Sequence, residues 1–308
     1  MDGSTRPDPA AAPVRQHAWP SDGPAELELT VDVGRVSVRL GDDVAEVRVE
    51  VRHDPSASTP FTQGISGILG WLGAGPDGPT AEDTAAAAVR DAEITWSEGA
   101  RLLVVRSSED LTLRTLPLAV TVTAPAGSRL TARTGAGDIT VDGRAGRAAV
   151  RTGSGNVRLG PVAGEVDVTT GSGRVDLGPL DARAQVRTGS GAVRLAATAG
   201  PTEVKAGSGD VTVGTVAADL GVRSGSGDVT VDDARAGRIA VIAGSGSVRI
   251  GVHPGVAAEL DLSSGSGRAH SELEIGAVAP AGGAPLHLRG RTGSGDVLVT
   301  RAAVPARG

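Results

Sequence analysis

The chain has 308 residues, 46 glycines, no cysteine and a net charge of −6 at pH 7. The lack of cysteine excludes disulfides, Cys-ligated zinc, iron–sulfur clusters and thiol catalysis, and the modest charge favours solubility more than it indicates any partner. Only three Trp and one Phe supply aromatic area. A core built from Val, Leu, Ile, Ala and Thr is therefore expected, which is typical of a thin solenoid interior.

The first 52 residues divide into two parts. Residues 1–24 are small, polar and rich in proline, which predicts a disordered tail. They lack a basic start followed by an apolar stretch, and the chain has no run of about 18 apolar residues. On this basis we expect a cytoplasmic protein. Residues 25–52 alternate between apolar and polar side chains, which predicts opening strands that form an N-terminal cap.

Residues 53–92 interrupt the strand pattern and predict a small helical insertion. Its apolar residues are spaced as on one face of a helix: Phe61, Ile65, Ile68, Leu69 and Leu72. This stripe is expected to cap the solenoid, or alternatively to contact a membrane interface or a protein partner. A second short helix is predicted over 80–90, with Thr80 as N-cap and Asp83 three residues on. Strands are predicted to resume near Ile94, at 102–105, 111–113 and 118–123.

Nine Gly-X-Gly triplets dominate the rest of the chain. The first six recur every 18 residues, and the later gaps are 19, 21 and 28. The glycine pairs are Gly135/Gly137, Gly153/Gly155, Gly171/Gly173, Gly189/Gly191, Gly207/Gly209, Gly225/Gly227, Gly244/Gly246, Gly265/Gly267 and Gly293/Gly295. Such a period predicts stacked repeats. The expected fold is an all-β, single-domain parallel β-helix over 93–300, with two short strands per coil, a right-handed path and a C-terminal tail at 301–308.

Two segments carry a resemblance to a known family. Residues 118–130, which read LAVTVTAPAGSRL, lead into TGAGDITV at 134–141. This arrangement resembles a bacterial family of unknown function built of β-strand repeats and called the putative adhesins. The resemblance covers about residues 26–300 without the insertion. It implies the β-solenoid fold and a membrane-peripheral or surface location, and it implies no catalytic residue.

One outward row of side chains is predominantly basic. Counting from the inward valines, such as Val150 and Val168, places it one residue further along each strand: Arg133, Arg151, Thr169, Arg187, Lys205 and Arg223. Like charges side by side in a sheet repel, so such a row is a candidate for binding a polyanion. The candidates are acidic polysaccharide, teichoic acid, lipid headgroups and nucleic acid, of which nucleic acid is disfavoured because the row has no aromatic residue. The alternative is a solvated face balanced by Asp167 and Glu203.

Three other rows have structural interpretations. Arg158, Asp176 and Arg194 alternate in sign, which predicts a stabilising cross-strand ladder. The serines inside the Gly-Ser-Gly turns are expected to bond their own backbone, although a hydroxyl row could also meet sugars. Asp138, Asp210, Asp228 and Asp296 are reminiscent of calcium-binding repeats, but only Asp210 and Asp228 are on adjacent coils, which disfavours calcium.

The sequence contains no recognisable catalytic constellation. Its five histidines lack metal-ligand spacing, and no glycine pair is followed by the Lys of a phosphate-binding loop. We therefore expect neither an enzyme nor a bound cofactor or metal. The leading hypothesis is an adhesin-like scaffold that binds an anionic cell-envelope component. The alternatives are a structural module that self-assembles or docks a protein through its caps, and a polysaccharide-active enzyme.

Overall fold

The computed structural model describes residues 13–57, 80–274 and 286–303. They form one continuous β-solenoid with a single α-helix, which confirms the predicted fold class. Each regular coil has two main faces that meet at a Gly-X-Gly corner. We call the strands before the corner face A and those after it face B, and we number all strands in chain order. The right-handed path of the coils stays a prediction.

Face A contains the strands that lead into the corners. From the N-terminal to the C-terminal end of the rod they are β4 (Glu93–Ser97), β5 (Leu102–Arg106), the first half of β2 (Glu26–Gly41), the first half of β7 (Arg129–Asp142), β8 (Arg147–Ser154), β10 (Val166–Ser172), β12 (Ala184–Thr188), β14 (Thr202–Ala206), β16 (Leu220–Ser224), β18 (Gly237–Ala243), β22 (Leu286–Thr292) and β20 (Ala258–Ser264).

Face B contains the strands that leave the corners. In the same direction they are β1 (Val14–Pro20), β3 (Glu46–His53), β6 (Leu118–Pro125), the second halves of β2 and β7, β9 (Val157–Leu159), β11 (Val175–Leu180), β13 (Val193–Thr198), β15 (Val211–Val216), β17 (Val229–Ala234), β19 (Val248–Val252), β23 (Val297–Arg301) and β21 (Ala269–Ser271). Pairing is parallel except for β1–β3, β3–β6 and β4–β5 at the N-terminal end.

The core is a set of stacked inward rows. Alternation along each strand turns every second side chain inward, so the valines predicted to face the interior lie above one another. Val150, Val168, Val186, Val204 and Val222 are all at most 1% exposed. Aliphatic rows of this kind fill the narrow space between the faces, which explains why the repeats need no aromatic residue.

The corners explain the glycines. A Cβ placed on Gly191 would lie 1.6 Å from the carbonyl oxygen of Gly173 in the preceding coil. The neighbouring coils therefore approach too closely here for any side chain. The turn is closed from inside by Thr188, whose hydroxyl accepts a hydrogen bond from the Gly191 N–H at 3.0 Å.

At both ends of the rod, the coils do not stack in the order in which they occur along the chain. The coil of β22 and β23 is inserted between the coil of β18 and β19 and the earlier coil of β20 and β21. Gly290 of β22 stands at an inward position, and a Cβ there would lie 2.8 Å from Cγ1 of Val297 in β23 and 3.2 Å from Cδ2 of Leu262 in β20. The Leu262 side chain thus occupies space that this glycine leaves open. At the other end, β2 is inserted between β7 and the later strands β5 and β6.

The N-terminal end carries a cap. Helix α1 (Ala81–Asp91) begins with a capping box between Thr80 and Asp83, which confirms the predicted second helix. Trp19 of β1 and Trp96 of β4 stack at 5.7 Å between ring centroids and join the edges of the two faces. Arg15 donates to the Arg90 carbonyl oxygen at 2.8 Å, near the helix C-terminus, so β1 and α1 support each other.

The C-terminal end is more open. Strands β20 and β21 each have a single neighbour among the described strands. Their inward residues Leu260 and Leu262 are only partly buried. Among the described residues, then, a cap is formed at the N-terminal end alone.

Several sequence-based expectations need correction. The disordered tail predicted over 1–24 is wrong for Val14–Pro20, which pair with β3 because Trp19 packs on the core. The strand predicted over 111–113 is wrong, since Leu113–Thr115 form a 3-10 turn. There the Asp110 carboxylate accepts from the N–H groups of Thr112 and Leu113. The stripe from Phe61 to Leu72 lies outside the described residues. The C-terminal tail is predicted to begin at residue 301, but Arg301 is the last residue of β23.

Across residues 13–57, 80–274 and 286–303, no helix combines the length and the apolarity that crossing a membrane requires. The one α-helix of these ranges has 11 residues.

One buried hydroxyl predicts a stabilising substitution. Thr198 is 1% exposed, lies in register between Leu180 and Val216, and its Oγ1 has no hydrogen-bond partner among the described residues. Thr198→Val removes this desolvated hydroxyl at nearly constant volume, so we expect the free energy of unfolding to rise by about 1 kcal/mol. The matched control is Thr188→Val, which leaves the buried Gly191 N–H unpaired and is expected to cost about 1–2 kcal/mol. Urea unfolding measures both, and equal effects would contradict the argument.

The corner geometry predicts a second contrast. Gly191→Ala forces Cβ against the Gly173 carbonyl, so we expect a loss of about 2–3 kcal/mol in the free energy of unfolding. A Cβ added to Gly221 of β16 would instead enter open space, with nothing within 4 Å. Gly221→Ala should therefore leave the stability unchanged or raise it by about 0.5 kcal/mol. Thermal unfolding of the two variants would disprove the account if both lost stability alike.

Candidate anion-binding surface

The basic row predicted from the sequence is formed on face A. Parallel pairing places Arg133 beside Arg151, Arg187 beside Lys205, and Lys205 beside Arg223, with Thr169 between the two groups. We call Arg133, Arg151, Arg187, Lys205 and Arg223 the basic row. All five side chains are exposed. They follow the rod axis at the strand spacing of about 4.8 Å.

The fold directs these side chains outward. In β12, for example, Arg187 lies between the buried residues Val186 and Thr188. The same alternation recurs in β14 and β16, where Lys205 and Arg223 are exposed between buried neighbours. The row is therefore a direct product of the repeat register.

A second outward row runs beside the basic row, two residues earlier in each strand. In order along the rod it contains Thr131, Ala149, Asp167, Gln185 and Glu203. Its two acidic residues contact the cations. Asp167 Oδ1 lies 3.8 Å from Arg187 Nη1, and Glu203 Oε1 lies 3.1 Å from Lys205 Nζ and 3.2 Å from Arg223 Nη1. The balancing carboxylates anticipated from the sequence thus contact three of the five cations.

Glu203 is the electrostatic centre of this part of the surface. A hydrogen bond and the charge of Lys205, with smaller contributions from Arg223 and Arg187, lower the pKa of the Glu203 carboxyl. The group therefore stays ionised at neutral pH. Its negative charge reduces the potential that an approaching anion meets at Lys205 and Arg223.

The remaining two members of the basic row have no such partner. Within the described residues, neither Arg133 nor Arg151 forms an ion pair or a side-chain hydrogen bond. On their own strands the second row holds Thr131 and Ala149, and Glu28, in register with Thr131, makes no ion pair with either arginine. Their guanidinium groups therefore keep their full donor capacity for solvent or a ligand.

The corner hydroxyls differ from expectation. The serines inside the Gly-Ser-Gly turns do not bond their own backbone, since their side chains make no hydrogen bond to any described residue. The residue before the first glycine does so instead. Ser224 Oγ, for example, donates to the Gly227 carbonyl at 3.0 Å and accepts from the Gly227 N–H. The inward position makes this bond possible, whereas the exposed serines, such as Ser226, point to solvent.

The aspartates after the second glycine form a ladder to the backbone. Asp210 Oδ1 accepts from the Asp228 N–H at 2.9 Å, and Asp228 Oδ1 accepts from the Ser247 N–H at 2.8 Å. Asp138 makes the equivalent bond to Asn156. In the part of the chain that the structure describes, no three potential metal-binding side chains cluster. These carboxylates join successive coils, a role that the likeness to calcium-binding repeats did not suggest.

A shallow groove of about 650 Å³ lies on face B. Arg158, Asp176 and Arg194 line it in register, as predicted, but they form no ion pair with one another, so the expected charge ladder is not formed. Small residues such as Gly178 form the floor of the groove. A Cβ on Gly178 would lie 2.8 Å from the carbonyl carbon of Gly160, so this part of the floor has no room for a side chain.

Residues 178–301 match the model of a protein family described as Toastrack DUF4097. Over this stretch the predicted resemblance to a family of unknown function built of β-strand repeats is confirmed. The matched stretch contains Arg187, Lys205 and Arg223, whereas Arg133 and Arg151 precede it. None of the curated proteins matches the chain.

Solved structures similar to this chain include three proteins of related description. A putative adhesin from Bacteroides fragilis is 13% identical with a TM-score of 0.44, and the match covers 93% of this chain and 96% of that one. A putative adhesin from Parabacteroides merdae is 8% identical with a TM-score of 0.36 and the same coverage. A putative cell adhesion protein from Clostridium sporogenes is 7% identical with a TM-score of 0.21, covering 94% and 99%.

The aspartate ladder predicts a substitution series. Asp228→Ala removes the acceptor for the Ser247 N–H, so we expect the free energy of unfolding to fall by about 0.5–1.5 kcal/mol. Asp228→Asn keeps a carbonyl acceptor and should cost less. The control is Asp232→Ala, which removes the same charge from the same coil at a side chain that accepts no hydrogen bond from the described residues. Urea unfolding that ranks Asp232→Ala as the more damaging change would refute the ladder.

Proposed function

We propose that this protein is a non-enzymatic, adhesin-like scaffold that binds a linear anionic polymer of the cell envelope along face A. The observation that carries the proposal is the basic row itself. It holds five exposed cations in register over six coils, with one neutral residue, Thr169, among them. Like charges in adjacent strands are unfavourable for the fold, so an anionic ligand is a natural counterpart.

A linear polymer fits this surface better than a plane does. The row of Asp167 and Glu203 runs directly beside the basic row. A membrane would face both rows at once, and its negative charge would be repelled by the acidic one. A polymer chain can follow the cations alone. Base stacking on aromatic residues, which non-specific binding of single-stranded nucleic acid uses, has no counterpart in this row.

The surface is also poorly suited to hydrolysis of a glycan. A glycosidase of the usual kind needs a carboxylic acid with a raised pKa beside a second carboxylate. The cations around Glu203 instead lower the pKa of its carboxyl. Asp167, the other carboxylate of this row, lies against Arg187. These features support a binding surface without a catalytic step.

The proposal predicts that anionic polymers bind through charge on face A alone. We would measure the affinity of the purified protein for dextran sulfate and polygalacturonate by biolayer interferometry, with neutral dextran as the blank. Changing all five basic-row residues to Gln should lower the affinity more than tenfold, and added salt should weaken binding of the unchanged protein.

The matched control removes five positive charges from face B and its corner. It changes Arg158, Arg174, Arg194, Arg249 and Arg268 to Gln, all of which are exposed. Affinity within about threefold of the unchanged protein supports the proposal. An equal loss in both variants would mean that net charge alone drives binding, which overturns it. Binding to vesicles of phosphatidylglycerol and not to either polymer would replace the polymer with a membrane.

A further inference from the structure

The charges of the basic row are distributed unevenly along the rod. In its C-terminal part, three cations are contacted by two carboxylates, Asp167 and Glu203. In its N-terminal part, Arg133 and Arg151 stand side by side without a carboxylate contact from any described residue. An anion therefore meets two cations without a contacting carboxylate at the N-terminal part, and three cations with two contacting carboxylates elsewhere.

The surroundings of the arginine pair reinforce this difference. The adjacent positions in the same row are Thr30 and Thr169, which are neutral and carry hydroxyl groups. Beyond Thr30 lies Arg106, which is 3.6 Å from Glu93. Asp167 lies diagonally between Arg151 and Arg187, and its carboxylate is placed at Arg187. The pair is thus bounded by hydroxyls along the row and by Thr131 and Ala149 beside it. Of the β2 carboxylates on this side, Glu28 lies in register with Thr131 and Asp32 is paired with Arg114, and neither contacts the two arginines.

The donor chemistry suits oxyanions. A guanidinium presents its N–H groups in a planar fork that binds sulfate, phosphate or carboxylate oxygens through paired hydrogen bonds. Two forks at the strand spacing of about 4.8 Å can hold one such group between them or two consecutive groups of a chain. Threonine hydroxyls on either side can donate to the remaining oxygens.

We infer that Arg133 and Arg151 form the anion-binding site of face A, and that it takes a short anionic stretch of a sulfated or phosphorylated glycan. This inference rests on the function proposed above and narrows it from a five-residue row to a two-residue site. The other three cations mainly balance Asp167 and Glu203. Arg133 and Arg151 precede the stretch that matches the family model.

The experiment compares two variants with the same charge change on the same face. Arg133→Gln/Arg151→Gln removes the unpaired cations, and Arg187→Gln/Arg223→Gln removes paired ones. Dextran sulfate is the probe, and affinity is measured between low and moderate salt. We expect the first variant to lose at least tenfold in affinity and the second less than about threefold. Circular dichroism and thermal unfolding check that both variants are folded.

The salt dependence of binding gives a second, independent measure of how many cations contact the ligand. Each ionic contact releases about one counterion, so the slope of log affinity against log salt should be near −2 for two contacts and near −5 for the whole row. Glu203→Gln, which frees Lys205 and Arg223, should steepen the slope by up to about two. A further variant, Arg133→Lys/Arg151→Lys, keeps the charge and loses the fork, so part of the affinity should return.

The outcomes separate this inference from the proposed function. Equal losses in the two double variants, or a slope near −5, would show that the ligand follows the whole row, which overturns the inference and leaves the function standing. No binding of dextran sulfate by the unchanged protein overturns both. Binding of polygalacturonate as tightly as dextran sulfate would keep the site and reject the preference for sulfate or phosphate esters.

Discussion

The close approach of one coil to the next is the constraint on which the rest of this structure depends. Parallel ladders hold neighbouring strands at about 4.8 Å, and at the corners the backbones meet with no room for a side chain. Gly191 shows the limit, because a Cβ there would overlap the Gly173 carbonyl. A glycine at this point keeps every coil in the same register. Once the register is set, each position of the repeat becomes a row along the rod.

Stacking identical side chains in rows stabilises the interior of such a fold and destabilises its surface where the row is charged. An inward row of valines packs well because identical side chains stack without gaps, whereas an outward row of cations repels itself. The neighbouring row relieves this repulsion at Glu203, which contacts both Lys205 and Arg223. At Arg133 and Arg151 the described residues provide no such relief. This surface is therefore distinctive at Arg133 and Arg151, where the repeat places cations without a contacting carboxylate.

Local signals are sufficient to predict the repeat and insufficient to predict its ends. The 18-residue period predicts the coils and the outward position of Arg187, and Thr80 with Asp83 predicts the start of the helix. The period cannot reveal that β22 and β23 are inserted before β20 and β21, since the spatial order of strands is set by packing such as that of Leu262 over Gly290. Similarly, register places Asp167 diagonally between Arg151 and Arg187, and only side-chain geometry assigns its carboxylate to Arg187.

The inserted position of the last coil has a consequence for biosynthesis. During vectorial synthesis, β20 emerges before β22, when the edge of β18 that β22 will occupy is still free. Early docking of β20 on that edge in the same register would set Leu262 directly beside Val241. In the finished rod Gly290 lies between these two residues, so the native order is reached only when β22 enters between β18 and β20. The rod therefore completes its C-terminal end only after the final strands are made, and the order in which its last coils stack differs from the order of translation.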